Sequence, residues 1–413
     1  MRALYTVALR LALPFILLRL WWRGRREPGY REHVEERFGM YAGEKPPKAL
    51  WLHAVSVGEA RAAAPLVREL QRLAPDHALV VSCTTAAGRE TLRQVYANSV
   101  RATFLPYDYP ETVDAFLAHF RPRLGILMET ELWPNLLAAC ERRAVPVVLA
   151  NARMSEKSAR GYRRWRALTA PAIRSLAAVC AQSEADAARL RGLGARRVAV
   201  TGNLKFDVAL DEQQVQRGRE WNARVARPVL LLASTRDGEE KLLLQAIGEA
   251  DFLTVVVPRH PQRFDEVAEF ADARKTEAAV PAASARVYLG DTMGEMAFYY
   301  GSADVAIIGG SFMPLGGQNP IEALAAGVPV VLGPSVYNFT EATRLALEAG
   351  AAIQAADVAG AVHAARALLR DPARRAAMGA AGKQLCLAHR GSTARHVEVL
   401  SGQLDCSKAR ARG

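Results

Sequence analysis

Three carboxylates follow apolar runs of strand length. Glu59 comes after Ala49-Leu-Trp-Leu-His-Ala-Val55, and Glu129 and Glu131 come after Leu124-Gly-Ile-Leu-Met128. An acid in such a position has two uses. At a helix start it lies in the positive end of the helix dipole and is ionised for structural reasons. Beside a substrate hydroxyl the same ionised group is a general base, most effective when its pKa is near neutrality. The pattern leaves both uses open for each acid. Ser56 and Gly58 form the turn before Glu59. Arg153, in Asn151-Ala-Arg-Met-Ser155, and Lys205, in Gly202-Asn-Leu-Lys-Phe-Asp207, are further candidates for substrate contact.

A second constellation lies in the other half of the chain. The stretch Gly309 to Ala326 carries four glycines, Gly309, Gly310, Gly316 and Gly317, between an apolar run ending at Ile308 and a helix start at Pro320. Glycine lets a backbone approach a ligand and present its N–H groups, and a helix N-terminus adds partial positive charge. With Asn319 as helix cap, the stretch reads as an anion site, most often a phosphate site; the alternative is a tight strand-to-helix turn. Pro258, Arg259, His260, Arg263, Gly294, Glu295, Gly310, Ser311, Gly317, Gln318, Asn319 and Glu322 all fall at expected strand ends or helix starts. Together they have the look of a nucleotide site. His260 suits packing or hydrogen bonding better than metal ligation. No Asp-x-Asp pair or paired-histidine motif is present to hold a metal, and no cofactor is called for.

The elements that position these groups alternate. Apolar strands at 49–55, 78–82, 102–105, 124–128 and 145–150 are separated by segments of helical spacing, and the plan restarts at Val229. Such alternation predicts α/β architecture: two Rossmann-like, doubly wound parallel sheets, with ligands beyond the carboxyl ends of the strands and in a central cleft. The expected division is a membrane-associated helix over 1–25, a first domain over 26–207, a linker over 208–228, a second domain over 229–390 and a helical tail over 391–413. Half of the 413 residues are apolar, enough for two cores.

The net charge of +12 is unevenly placed. Residues 1–200 hold 31 basic against 18 acidic side chains, and residues 201–413 hold 23 against 24. The first half therefore suits an acidic partner, whether nucleic acid, anionic lipid or a phosphorylated substrate; the alternative is a solvated, arginine-rich surface. The basic, aromatic run Lys157-Ser-Ala-Arg-Gly-Tyr-Arg-Arg-Trp-Arg166 fits phosphates or lipid headgroups, and no RNA-binding motif accompanies it. Five cysteines without a C-x-x-C pair fit a reducing compartment. Residues Ala3 to Trp22 are strongly apolar, but Arg10, Arg19 and Pro14 interrupt them. A central arginine costs roughly 2.5–3.5 kcal/mol in a spanning helix. A helix lying in one leaflet is therefore the primary reading and a single-pass anchor the second.

The ordered motifs also resemble a known family, the 3-deoxy-D-manno-octulosonic acid (Kdo) transferases of lipopolysaccharide synthesis, glycosyltransferases of the two-domain B fold. The resemblance covers nearly the whole chain. It rests on Pro28-Gly-Tyr30, Glu36-Arg-Phe-Gly39, His53-Ala-Val-Ser-Val-Gly-Glu59, Glu129-Thr-Glu-Leu-Trp-Pro-Asn135, Gly202 to Asp207, Pro258-Arg-His-Pro261, Asp291-Thr-Met-Gly-Glu295 and Gly309 through Glu322. One departure is Arg236, in Ser234-Thr-Arg-Asp-Gly-Glu-Glu240, where the family usually has histidine. The resemblance implies inverting transfer of Kdo from CMP-Kdo to lipid IVA, an anionic lipid A precursor, at the cytoplasmic face of a Gram-negative inner membrane. It also implies Glu59 as the base, with Arg259 on the donor phosphate and Glu322 on the ribose. The competing expectations are a nucleotide-sugar 2-epimerase of the same architecture and a non-catalytic membrane-associated binding protein.

Overall fold

The computed structural model describes residues 1–207 and 210–410, apart from the side chains of Arg26 and residues 405–410. Those residues form two units. The first comprises the chain to Asp207 together with the segment from Arg390, and the second runs up to His389.

In the first unit the apolar runs become β1 (Ala49–His53), β2 (Ala78–Cys83), β3 (Arg101–Phe104), β4 (Pro122–Met128), β5 (Val147–Ala152), β6 (Ala178–Ala181) and β7 (Val198–Val200). They pair in parallel in the order β3-β2-β1-β4-β5-β6-β7. Every residue of β1 and β5 is buried, the continuous apolar signature of a parallel sheet covered on both faces. Gly125 on β4 is there because of Trp51 on β1: a Cβ at Gly125 would lie 3.0 Å from the indole. Strand order reverses between β1 and β4, so a crevice opens beyond their carboxyl ends.

The second unit repeats the design with β8 (Val229–Thr235), β9 (Leu253–Pro258), β10 (Ala273–Arg274), β11 (Val287–Leu289), β12 (Val305–Ile308), β13 (Val330–Leu332) and β14 (Ala352–Gln354). The order is β10-β11-β9-β8-β12-β13-β14, again parallel, with the reversal between β8 and β12. Expected strand ends moved by one or two residues; β1 stops at His53, although the Ala54 N–H still donates to the Ser82 carbonyl at 2.9 Å.

One segment differs more from expectation. The stretch taken as linker, of which Val208 and Ala209 lie outside the described residues, holds a helix at Glu212–Val225. Asp211 caps it by accepting the Gln214 N–H at 3.0 Å. Its inner face is small and sparse, so no apolar stripe announced it. Gly218 meets the short helix Met296–Gly301 at backbone distance, where a Cβ would fall 2.2 Å from the Phe298 carbonyl, and Trp221 is buried beside it. The helical tail expected over 391–413 is the helix Ser392–Arg410. Its Leu400 and Leu404 join the core of the first unit, with Leu50, Leu66 and Cys180.

The N-terminal helix spans Arg2–Arg26 without a break at Pro14. By length and hydropathy it can cross a bilayer, and only 6% of its apolar window is buried. Cys83, Cys140, Cys180 and Cys386 are buried free thiols; the side chain of Cys406 lies outside the described residues.

Candidate active site

In the first unit the strand reversal brings the β1 turn beside the β4 turn. Ser56 is the N-cap of the helix Val57–Ala62, with its hydroxyl accepting the Glu59 N–H at 3.3 Å. The Glu59 carboxylate reaches back, accepting the Val55 N–H at 2.9 Å and the Ser56 hydroxyl at 3.0 Å. Glu59 thus ties down the turn before its own helix, one residue short of a capping box, so its structural use is real. Its environment is nevertheless unusual. Burial, and then the nearby Glu129 carboxylate, push it up to about 7 against those two hydrogen bonds. A surface helix-start acid would be pulled down instead. Gly58 adds no side chain above this turn, where only Ser56 Oγ approaches within 4 Å.

Glu129 has φ +58°, in the left-handed region. Its carboxylate pairs with Lys205 Nζ at 3.2 Å. Glu131 accepts the Trp133 indole N–H at 3.0 Å, and burial raises it as well. Ser56, Gly58, Glu59, Glu129, Glu131 and Lys205 are thus one neighbourhood, linked by direct bonds or by electrostatic influence on Glu59. Arg153 follows β5, half-buried, one strand further along. Tyr162, from the basic helix Glu156–Arg164, donates to the Thr130 carbonyl at 3.4 Å. That contact joins the arginine-rich segment to the same turn. His53 is separate: buried at the end of β1, it bonds Ser82 Oγ at 2.9 Å, and burial lowers it to about 4. It is neutral and structural.

The glycine loop of the second unit differs from its expected role. Gly309 lies against β8, where a Cβ would be 2.6 Å from the Ser234 carbonyl, and Gly310 is left-handed with φ +68°. The loop amides, expected to face an anion, already have protein partners. Glu239, fully buried, accepts N–H groups from Gly310 at 2.6 Å, Arg236 at 2.9 Å and Phe312 at 3.1 Å. Gly316 donates to Ser335 Oγ, and Gly317 and Gln318 to the carbonyls of Gly310 and Gly309. A carboxylate of the protein fills the nest and forms a floor beneath the side chains around it. Ser311, also fully buried, spends its hydroxyl on the Ile308 carbonyl and the Gly333 N–H. Glu239 was visible in the sequence as half of Glu239-Glu240, but nothing in its spacing revealed its target.

Arg236 Cγ packs 3.6 Å from where a Gly310 Cβ would be, above that floor. Arg259 follows Pro258 at the end of β9, its N–H donating to the Thr235 carbonyl at 3.0 Å. Arg259 and Glu322 both act electrostatically on the buried Tyr300. Asn319 accepts the Ile321 N–H at 3.0 Å and donates to Glu322 at 3.1 Å. The helix Ile321–Ala326 thus begins one residue later than expected, with Asn319 still serving its first amide. Gly294 has φ +77°, and Glu295 pairs with Lys275 at 2.6 Å. Burial acts to raise Glu295, but the bonds from Lys275 and Thr292 outweigh it and hold the carboxyl low. Lys275 was not foreseen. Arg263 turns inward to Glu240 at 2.6 Å and is structural, while His260 stays exposed beside it. Among the described residues no three His, Cys, Asp or Glu side chains gather as a ligand set.

Residues 32–208 match the 3-deoxy-D-manno-octulosonic-acid transferase (kdotransferase) family, and residues 273–385 match glycosyl transferases group 1. A 3-deoxy-D-manno-octulosonic acid transferase of Bordetella pertussis is 44% identical over 98% of this chain and 99% of that one. The enzyme of that name from Haemophilus influenzae is 33% identical, with the same coverage. Among solved structures, the UDP-GlcNAc 2-epimerase of Neisseria meningitidis superposes with a TM-score of 0.54 over 86% of this chain and all of that one. Its 17% identity speaks to fold alone.

Proposed function

The chain belongs to the 3-deoxy-D-manno-octulosonic acid transferase family of glycosyltransferases, and we propose that it moves Kdo from CMP-Kdo to lipid IVA with inversion at the anomeric carbon. The observation that carries this reading is Glu59, a carboxylate at a strand-reversal crevice held at about 7. That value suits a group that must be ionised at neutral pH and still take up a proton.

In the proposed step an acceptor hydroxyl attacks the anomeric carbon from the face opposite CMP. Its proton passes to the free Glu59 carboxylate as the new C–O bond forms. The bond from the anomeric carbon to the phosphate oxygen breaks, and its electron pair leaves with CMP. The leaving phosphate gains one negative charge. Arg259, with Arg236 over the glycine floor, stabilises that charge through charge-assisted hydrogen bonds. Glu322 takes the ribose hydroxyls, and Gly294, Glu295, Gln318 and Asn319 shape the rest of the donor site. Glu129, Glu131, Lys205 and Arg153 orient the reacting sugars. Arg236 in place of the family's usual histidine supplies a permanent positive charge where a histidine would titrate.

The acceptor is anionic and acylated, which accounts for the basic first half and the N-terminal helix. Leu4, Val7, Leu11, Phe15, Leu18 and Trp22 form a stripe along that helix, with Leu11 73% and Phe15 74% exposed. Arg10 sits off the stripe, paired with Glu111 at 3.1 Å. A crossing helix would have to draw that ion pair into hydrocarbon, so the proposal is a helix lying in one leaflet of the inner membrane, on its cytoplasmic side. Incubating the protein with CMP-Kdo and lipid IVA and weighing the lipid tests the function. A mass increase of one or more Kdo units is the expected result, and an unchanged lipid with intact CMP-Kdo contradicts it.

A further inference from the structure

The N-terminal helix has a second face, turned toward the loop after β3 and the Pro134 helix, where it makes hydrogen bonds and an ion pair. At its centre is Asp108, in the loop after β3, with 4% of its surface exposed. Asp108 accepts the N–H groups of Asn135 at 3.0 Å and Leu136 at 2.8 Å. It thereby caps the helix Pro134–Arg142, which has no side-chain cap of its own. The Tyr5 hydroxyl bonds the same carboxylate. The Asn135 amide donates to the Asp108 carbonyl at 2.7 Å and to Thr6 Oγ1 at 2.9 Å. Tyr109 donates to the Leu9 carbonyl at 2.9 Å, and Arg10 holds Glu111.

This network ends at the candidate site. Pro134 and Asn135 directly follow Trp133, and Trp133 donates its indole N–H to Glu131. A continuous chain of contacts therefore runs from Tyr5 and Thr6, through Asp108 and Asn135, to Trp133 and Glu131. A helix that served only as an anchor would have no need of it. Apolar packing on the inner face would hold the helix, and the Pro134 helix could be capped by a residue of its own.

We propose that the N-terminal helix is a positioning element for the reaction as well as a lipid anchor. Its inner face, through Tyr5 and Thr6, fixes the start of the Pro134 helix and so the indole that aims Glu131. Its outer face, the Leu4 to Trp22 stripe, meets the lipid surface. Seating on lipid and the geometry of the acceptor-side carboxylates are thereby coupled. The inference rests on the reading of Glu131 as a functional carboxylate.

The test uses the full chain in detergent with CMP-Kdo and detergent-dispersed lipid IVA, where anchoring has no part in turnover. Thr6→Val, alone and with Tyr5→Phe, is compared with Thr6→Ser and with the outer-face pair Leu11→Ser and Phe15→Ser. The inner-face variants should lower kcat by about tenfold or more, the scale of a small misplacement of a reacting group. Their KM for CMP-Kdo, Tm and binding to vesicles of phosphatidylethanolamine and phosphatidylglycerol should stay as in the parent, and Thr6→Ser should restore kcat. The outer-face pair should lose vesicle binding. Unchanged kcat in both inner-face variants, or a loss of vesicle binding equal to that of the outer-face pair, would overturn the proposal. Glu131→Gln separates the two readings. If it retains turnover, the role given to Glu131 fails; if it loses turnover while the inner-face variants do not, only the coupling fails.

Discussion

His396 and Asn151 are 245 positions apart and share one fully buried hydrogen bond, from the Asn151 N–H to His396 Nε2 at 2.9 Å. The other ring nitrogen, Nδ1, donates to the Ser392 carbonyl at 2.7 Å, which fixes the neutral tautomer. The bond pins Asn151 in a left-handed conformation, φ +52°, costly for a non-glycine residue. Asn151 Oδ1 in turn accepts the Leu204 N–H at 3.0 Å, next to Lys205 and its partner Glu129. The last helix of the chain therefore braces the turns that carry the candidate site.

That brace predicts an acid weakness. Burial lowers His396 to about 4 from the ordinary 6.5. The unfolded chain then binds a proton that the folded one refuses, so the stability contributed above pH 6.5 is lost as pH falls toward 4. The full difference is about 3 kcal/mol. Glu59 and Asp108, both raised by burial, act in the opposite sense over part of this window, so a difference between proteins is the proper measure. The stability gap between the parent and His396→Gln, from denaturant melts, should shrink by about that amount between pH 7.5 and pH 4.5. A gap independent of pH would mean that the histidine takes up its proton alike in the folded and unfolded chain.

Glu239 predicts a dependence of ligand affinity on a residue that touches no ligand. Replacing it with alanine orphans the Gly310, Arg236 and Phe312 amides, at roughly 1.5–3 kcal/mol for each charge-assisted bond before relaxation. Glu239→Ala should lower the unfolding temperature of the second unit and weaken CMP binding by tenfold or more, on the order of one such bond. Calorimetry with CMP on folded protein checks it. Full affinity would mean that the glycine floor does not support the nucleotide.

Arg259→Ala should remove one charge-assisted contact to the CMP phosphate. The expected loss is about 1.5–3 kcal/mol, or roughly 10- to 150-fold in Kd. Cytidine, which lacks the phosphate, should bind the variant and the parent alike. An equal loss for both ligands would assign Arg259 to the fold of the site and not to the phosphate.

Much of this was legible in the chain. Parallel α/β architecture follows from the apolar runs, and Glu59, Glu129 and Glu131 could be placed at strand ends. Their meeting could not. It depends on β1 and β4 becoming neighbours, a choice of topology made by the whole core. The same holds for His396 on Asn151 and Asp108 on the Pro134 helix, where nothing local to either partner names the other. The glycine stretch was misread in one respect. Its spacing announced amides turned to an anion, but Glu239, 71 residues before Gly310, already takes the Gly310 and Phe312 amides. The helix 212–225 carries no usual apolar stripe, because its buried face is Val215, Gly218 and Trp221 alone.

Glu59 itself predicts a trade between stability and function. Its folded pKa of about 7 lies above the ordinary 4.5. The stability associated with its protonated form is complete below 4.5 and is lost as pH rises through 7, by about 3 kcal/mol. Glu59→Gln should therefore lose less stability than the parent between pH 5 and pH 8.5. A simple helix-start role predicts the reverse, a variant weaker by about 1 kcal/mol at neutral pH.

The most direct test of the central claim is the pH dependence of single-turnover Kdo transfer by the parent and by Glu59→Gln. For a general base the parent rate rises about tenfold per pH unit below 7 and levels off above it, because only the ionised carboxylate takes the proton. Glu59→Gln should bind CMP normally, turn over about 100-fold more slowly or worse, and lose that inflection. A variant that keeps near-normal turnover with the inflection intact would contradict the account and transfer the role to Glu131 or Glu129.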